Sequence, residues 1–211
     1  MMIVCPTVTA TNIADFKKQL DVAESLSSRV HLDLMDGILT TRTSPSLSEI
    51  GQIRYKSLVD IHLMYQEVVA SLDAIIKMKP NLVLIHYLDN LNLMQIFTTL
   101  KTHKIKTGLV LSSLPSDKAK INSILVQIDH VLIFGGKLGF QGGVADLSLL
   151  PIVHWLKESY PKLEIGWDGG INKANIKIFL QAGVEVFNIG SYIQASFNPQ
   201  NAYVNIIQEI G

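Results

Sequence analysis

Arg29-Val30-His31-Leu32-Asp33-Leu34-Met35-Asp36-Gly37 is an apolar run of strand length that carries an imidazole and a carboxylate two residues apart and ends in an Asp-Gly turn. In an extended strand, side chains two apart share a face, so His31 and Asp33 point the same way. A second run, Asp60-Ile61-His62-Leu63-Met64, repeats the pattern with His62 and Met64 on one face. Far along the chain, Trp167-Asp168-Gly169-Gly170-Ile171 supplies another carboxylate at the end of an apolar run. Polar groups at the ends of apolar strands are the arrangement in which a barrel keeps its chemistry.

Outward from these strings, β-rich runs recur at 2–5, 29–34, 57–64, 82–86, 106–111, 130–134, 163–167 and 186–189. Helical spacing fills the intervals at 12–26, 67–78, 90–102, 117–126, 146–159, 172–182 and 201–210, with 45–50 as a reduced helix or turn. In the first of these, Ile13, Phe16, Leu20, Ala23 and Leu26 form one apolar stripe. Strands alternating with helices imply parallel pairing, because each crossover needs an element about a dozen residues long. Eight such units favour an α/β (β/α)₈ TIM barrel over an open doubly wound sheet. The first strand-helix junction has no glycine fingerprint, which argues against a dinucleotide site. Glycines cluster instead after the sixth strand, at Gly135, Gly136, Gly139, Gly142 and Gly143. Without a linker or repeat, residues 1–211 are expected to form a single barrel domain.

Composition narrows the class. Eighteen basic and eighteen acidic residues cancel, so overall charge directs the chain to neither nucleic acid nor an anionic membrane, and any bound anion must be held locally. Cys5 is the only cysteine, which excludes an internal disulfide and a thiolate cluster. No apolar run reaches the roughly 18 residues of a membrane span, so a soluble cytoplasmic protein is expected.

If the strand count holds, His31, Asp33, His62 and Asp168 converge at the carboxyl-terminal mouth. Two imidazoles and two carboxylates suit one divalent ion of the Zn, Fe, Mn or Co type, whereas Mg²⁺ prefers more oxygen. Such an ion polarises a substrate carbonyl and stabilises the enediolate left when the adjacent proton is removed. Asp33 and Asp168 on opposite faces of that intermediate would exchange protons with it and invert the carbon. A lone imidazole at a strand end is ordinarily a hydrogen-bonded core group, and only the convergence of four polar groups outweighs that reading. Asp36 is assigned to the turn rather than to the site.

Around this centre, Met64 is a candidate apolar lid, and Met35 reaches the mouth on this reading only if the strand has turned by then. His86 is assigned to the substrate or to a ligand's outer partner. His130, at the other end of its strand, is structural. Asp89 is read as starting the turn after the fourth strand. The Gly169-Gly170 pair and Ile189-Gly190-Ser191 follow the seventh and eighth strands, where barrels bind phosphate with main-chain N–H groups. Gly142 and Gly143 can add donors from the sixth loop.

These strings resemble the ribulose-phosphate 3-epimerase family of metal-dependent TIM barrels over nearly the whole chain, from Cys5-Pro6-Thr7 and Ala14-Asp15-Phe16 to Gly190-Ser191. The resemblance implies that His31, Asp33, His62 and Asp168 hold the metal, with Asp33 and Asp168 as the proton-transfer pair. It implies substrate contacts at Thr7, His62, Met35, Met64, His86, Gly142, Gly143, Gly170, Gly190 and Ser191. It implies an isomerase of carbohydrate metabolism, usually oligomeric, that exchanges D-ribulose 5-phosphate with D-xylulose 5-phosphate at C3. The family's sixth-strand methionine is replaced by Ile133 or Phe134, and the stretch from Pro6 to Phe16 is longer than the family's. Leu39-Thr40-Thr41-Arg42 and Lys137-Leu138-Gly139-Phe140-Gln141-Gly142-Gly143 also depart from the usual mouth loops. These departures leave open a ketohexose 6-phosphate as substrate and a non-catalytic sugar-phosphate or metal-binding homologue. An aldol-type lyase or decarboxylase is the rival enzyme class.

Overall fold

The eight runs form parallel strands that close into a barrel in chain order, β1 through β8 with β8 against β1. A computed structural model describes residues 2–88, 91–114 and 118–211, with 118–120 described by backbone alone. The strands are β1 (Ile3–Val8), β2 (Arg29–Met35), β3 (Leu58–Met64), β4 (Leu82–His86), β5 (Lys106–Leu111), β6 (His130–Phe134), β7 (Glu164–Asp168) and β8 (Val186–Ile189). The helices are α1 (Ile13–Leu26), α2 (Leu47–Ile50), α3 (Val68–Met78), α4 (Leu93–Thr102), α5 (Lys118–Leu125), α6 (Leu150–Ser159), α7 (Ile176–Ala182), α8 (Ser191–Gln194) and α9 (Pro199–Ile210). The turn expected at Asp89 and the helix starts expected at residues 90 and 117 lie outside the described residues.

Several bounds differ from the sequence expectation for identifiable reasons. Strand β1 continues past Cys5 through Pro6, which pairs in register with Ile189 of β8. Strand β7 is displaced by one residue and so contains Asp168 itself. Helix α7 starts late because Asn172 and Asn175 bond locally: the Asn175 side chain accepts from the Asn172 N–H at 2.8 Å and donates to the Gly170 carbonyl at 2.9 Å. The helix expected from 146 opens as a 3₁₀ turn at Leu147–Leu149, where Asp146 accepts from the Ser148 N–H. Helix α9 starts early because Asn198 caps it and Pro199 follows. Helix α8 was not expected.

Side-chain alternation divides the interior in two. Val30, Leu32, Leu34, Ile61, Leu63, Val83 and Ile85 face outward into the layer between strands and helices, together with Phe16, Leu20 and Ala23 of α1. Leu82, Leu84, Val110, Leu132 and Phe134 fill the barrel itself as a separate cluster. Close packing there leaves no room at Gly108 or Gly166, where an added Cβ would lie 2.5 Å from Leu84 and from His130 respectively. Trp167, fully buried on the outer face of β7, packs at a tilt against Phe179 of α7, ring centroids 4.5 Å apart, and donates its indole N–H to the Gly169 carbonyl at 3.0 Å. That anchor fixes the end of β7 from which Asp168 projects inward.

The amino-terminal end of the barrel is closed by charge. Arg29 Nε donates to Asp60 at 2.6 Å, and its two terminal nitrogens donate to the Glu164 carboxylate at 2.9 and 2.8 Å. Asn81 donates to the other Asp60 oxygen at 2.7 Å, and His130 Nδ1 lies 2.8 Å from Glu164. His130 therefore sits where the sequence placed it, in the structural plug.

Candidate active site

Strands β2, β3 and β7 bring His31, Asp33, His62 and Asp168 together, with one ligand atom from each inside a 4.8 Å sphere of mutual distances. His62 Nδ1 lies 3.0 Å from Asp33 Oδ1 and 4.0 Å from Asp168 Oδ2, and His31 Nε2 lies 3.3 Å and 3.7 Å from the same two carboxyls. All four residues are buried. Burying two carboxylates side by side carries a large desolvation and repulsion cost unless cations face them.

The set fits a divalent cation on its own evidence. His31 is fully buried, yet neither of its ring nitrogens has a hydrogen-bond partner. An imidazole with an unused lone pair beside two carboxyls is suited to ligate a cation. His62 is held from behind, with its Nε2 2.8 Å from His86 Nε2. With the His62 proton on Nε2 and His86 accepting it, Nδ1 of His62 is free to ligate, so His86 sets the tautomer.

The electrostatics separate the two carboxyls. Burial, reinforced by the charge of Asp33, pushes Asp168 up to about 7. Burial also raises Asp33, but the adjacent His31 and His62 outweigh it and hold this carboxyl well below the usual range. The Asp33 neighbourhood raises His31 against its burial, whereas burial lowers His62. Burial, and then His62, lowers His86 to about 3, so this ring stays neutral and can accept a hydrogen bond.

The cavity above the cluster is lined by Thr7, Asp33, Met64, Asp168, Gly142 and Gly170 among others, and Gly190 and Ser191 complete its β8 side. His31, His62, His86, Met35 and Gly143 lie outside that lining, and an added Cβ at Gly143 would meet nothing within 4 Å. Strand β2 runs straight through Met35, so the turn on which its placement depended does not occur. The two-residue repeat from His31 instead carries Met35, 1% exposed, onto the inward face in register with Met64. Of Ile133 and Phe134, Phe134 is the one on the inward face: its ring meets His62 edge-on at 5.5 Å and His86 at 6.0 Å, while Ile133 faces the outer layer. Asp36 stays in the turn, accepting from the N–H groups of Ile38, Leu39 and Gln66. Arg42 and Lys137 both lie over Phe140, at 5.3 and 4.5 Å from its centroid, and neither lines the cavity. At Gly170, φ is 70° and an added Cβ would sit 2.2 Å from the Ala145 nitrogen, so the β6 and β7 loops touch through backbone alone.

Sequence reasoning missed Thr9, Gln141 and Asn188. Thr9 donates its hydroxyl to Asp33 Oδ2 at 2.5 Å, and Gln141 donates to the Thr9 oxygen at 3.0 Å. This chain of bonds turns Oδ1 of Asp33 toward the imidazoles and ties the β6 loop to that orientation. Thr9→Val is therefore expected to weaken cation affinity and turnover by about tenfold to a hundredfold, the usual range for an outer partner of a ligand. Titration calorimetry with the cation and a turnover assay check this, and Thr9→Ser should restore both.

The same residues carry likeness to known proteins. Residues 3–194 match the model of the ribulose-phosphate 3 epimerase family. A ribulose-phosphate 3-epimerase of Helicobacter pylori is 29% identical over 85% of this chain and 86% of its own length. One from Buchnera aphidicola is 28% identical over 84% and 82%. Among solved structures, 3-hexulose-6-phosphate synthase from Salmonella typhimurium shares the fold, with a TM-score of 0.74 at 15% identity over 99% of this chain and 98% of that one. A closed barrel, two imidazoles and two carboxyls around one point, and a match running from β1 to α8 agree: the chain belongs to the ribulose-phosphate 3-epimerase family.

Proposed function

We propose that this protein inverts C3 of a ketose phosphate, interconverting D-ribulose 5-phosphate and D-xylulose 5-phosphate. The observation that carries the reading is the pair Asp33 and Asp168, projecting from β2 and β7 onto one buried point beside two imidazoles. Two carboxyls facing one reacting carbon are the base and acid that inversion needs. A divalent cation held by His31, Asp33, His62 and Asp168 supplies Lewis acidity toward the substrate's carbonyl oxygen. One aspartate takes the C3 proton and the other delivers a proton to the opposite face; in the reverse direction they exchange roles. His86 holds His62, Thr9 and Gln141 hold Asp33, and Met64 and Phe134 keep water from the reacting carbon. The phosphate is assigned to the glycine-rich side, with Gly142, Gly170, Gly190 and Ser191 around it.

The test is conversion of ribulose 5-phosphate by protein loaded in turn with Zn²⁺, Fe²⁺, Mn²⁺ and Co²⁺, with ketohexose 6-phosphates in parallel. Formation of xylulose 5-phosphate with the pentulose as preferred substrate is expected. Stoichiometric cation binding without conversion of the pentulose would overturn the assignment.

A further inference from the structure

Asn188 sits in the middle of β8 with its side chain turned into the barrel, in register with Asp168 on one side and Cys5 on the other. It is 2% exposed and lines the cavity, yet its Oδ1 has no hydrogen-bond partner. Thr7, the next inward position up β1 from Cys5, is also 2% exposed, lines the same cavity and has an unpartnered Oγ1.

These two atoms stand out against the rest of the interior. Asp60 is bonded to Arg29 and Asn81, Glu164 to Arg29 and His130, and Asp33 to Thr9 and His62. His31 belongs to the cation cluster, and the free Nε2 of His130 faces Gly166 below the site. Among the described residues, that leaves Thr7 Oγ1 and Asn188 Oδ1 as unpartnered buried atoms outside that cluster on residues that line the cavity. A buried polar atom without a partner is destabilising, so its retention beside a reacting centre points to a ligand that satisfies it.

The polarity selects the ligand. A carboxamide oxygen accepts hydrogen bonds and repels phosphate oxygens, which the glycine-rich loops serve better. What it needs is a donor, and a sugar hydroxyl provides one while offering its lone pairs to the Thr7 hydroxyl. We propose that Asn188 adds a hydroxyl-recognition contact, accepting from a substrate hydroxyl beside Thr7, whose substrate contact the family resemblance already implies. Asn188 then distinguishes a polyhydroxylated sugar phosphate from other small phosphate anions. This rests on the epimerase reading above.

The experiment compares the cation-loaded parent with Asn188→Leu, which keeps the shape but not the oxygen, and with Asn188→Ala in case the larger side chain disturbs folding. Three quantities are measured: kcat and KM for ribulose 5-phosphate, the inhibition constant of inorganic phosphate, and the thermal midpoint. KM is expected to rise about tenfold to a hundredfold, the loss of one hydrogen bond to a buried partner. The phosphate inhibition constant should stay within about twofold, because uniform loss of anion binding is not involved. The Leu variant should melt no lower than the parent, since it removes an unsatisfied acceptor. An unchanged KM, or a phosphate constant weakened in proportion to KM, would overturn the contact while leaving the epimerase intact. Failure of the parent to turn over the sugar would remove both.

Discussion

Asp168→Asn and Asp33→Asn are each expected to lower kcat by about a thousandfold or more, near the upper part of the range for a general acid or base. The amide has the shape of the carboxyl and retains an oxygen toward the cluster, but it can neither take nor give the proton at C3. Inversion needs a group on each face, so the partner aspartate cannot compensate. The losses should be far from additive: with one face already silent, removing the second carboxyl has little left to remove. Cation content measured on the same preparations separates chemistry from ligation, because a variant that still binds the ion while losing turnover has lost proton transfer. Near-normal turnover in either variant would reject the pair.

Replacing Arg29 by Met is expected to destabilise the fold by about 3 kcal/mol, mostly the cost of stripping the counter-charge from the buried Asp60 carboxylate, since Glu164 is part-exposed. Against a total stability of about 5–15 kcal/mol, that is the largest single loss foreseen anywhere in the barrel. Arg29 is the cation shared by Asp60 and Glu164, and its side chain is only 7% exposed, so solvent cannot replace it. The same plug gives the protein an acid limit. Burial raises the Glu164 carboxyl, but His130 and Arg29 outweigh this and hold it well below its ordinary value of 4.5. A depressed carboxyl stabilises the fold above its unfolded-state value, and the contribution fades as pH falls through and below that value. Glu164→Gln should therefore flatten the decline in stability below about pH 4.5. Urea unfolding at neutral and at acid pH measures both effects. An Arg29→Met variant with parental stability would show that the plug is not what holds the amino-terminal end of the barrel.

The fold was readable because its repeat is simple. Apolar runs separated by helical stripes count to eight, and the alternation within Arg29–Met35 and Leu58–Met64 places His31, Asp33 and His62 on one inward face. What escaped reading depends on contacts between strands distant in sequence. Asn188 looks like an unremarkable residue of a short strand until β8 closes on β1 and turns it into the cavity. Thr9 lies in a stretch that departs from the family pattern, so only the folded geometry shows its hydroxyl meeting Asp33. The choice between Ile133 and Phe134 was decidable by parity from His130, since residues two and four further along share its face. Pro6 concealed the length of β1 because proline ordinarily ends a strand.

The central claim is that two aspartates, from β2 and β7, act on the two faces of one carbon. Early turnover of ribulose 5-phosphate in deuterated water, with C3 examined by NMR in both product and recovered substrate, measures this most directly. Two carboxyls on opposite faces predict xylulose 5-phosphate deuterated at C3 while unreacted ribulose 5-phosphate still carries its original hydrogen. Product that keeps the substrate's hydrogen at C3, or recovered substrate that gains deuterium as fast as product forms, would contradict it.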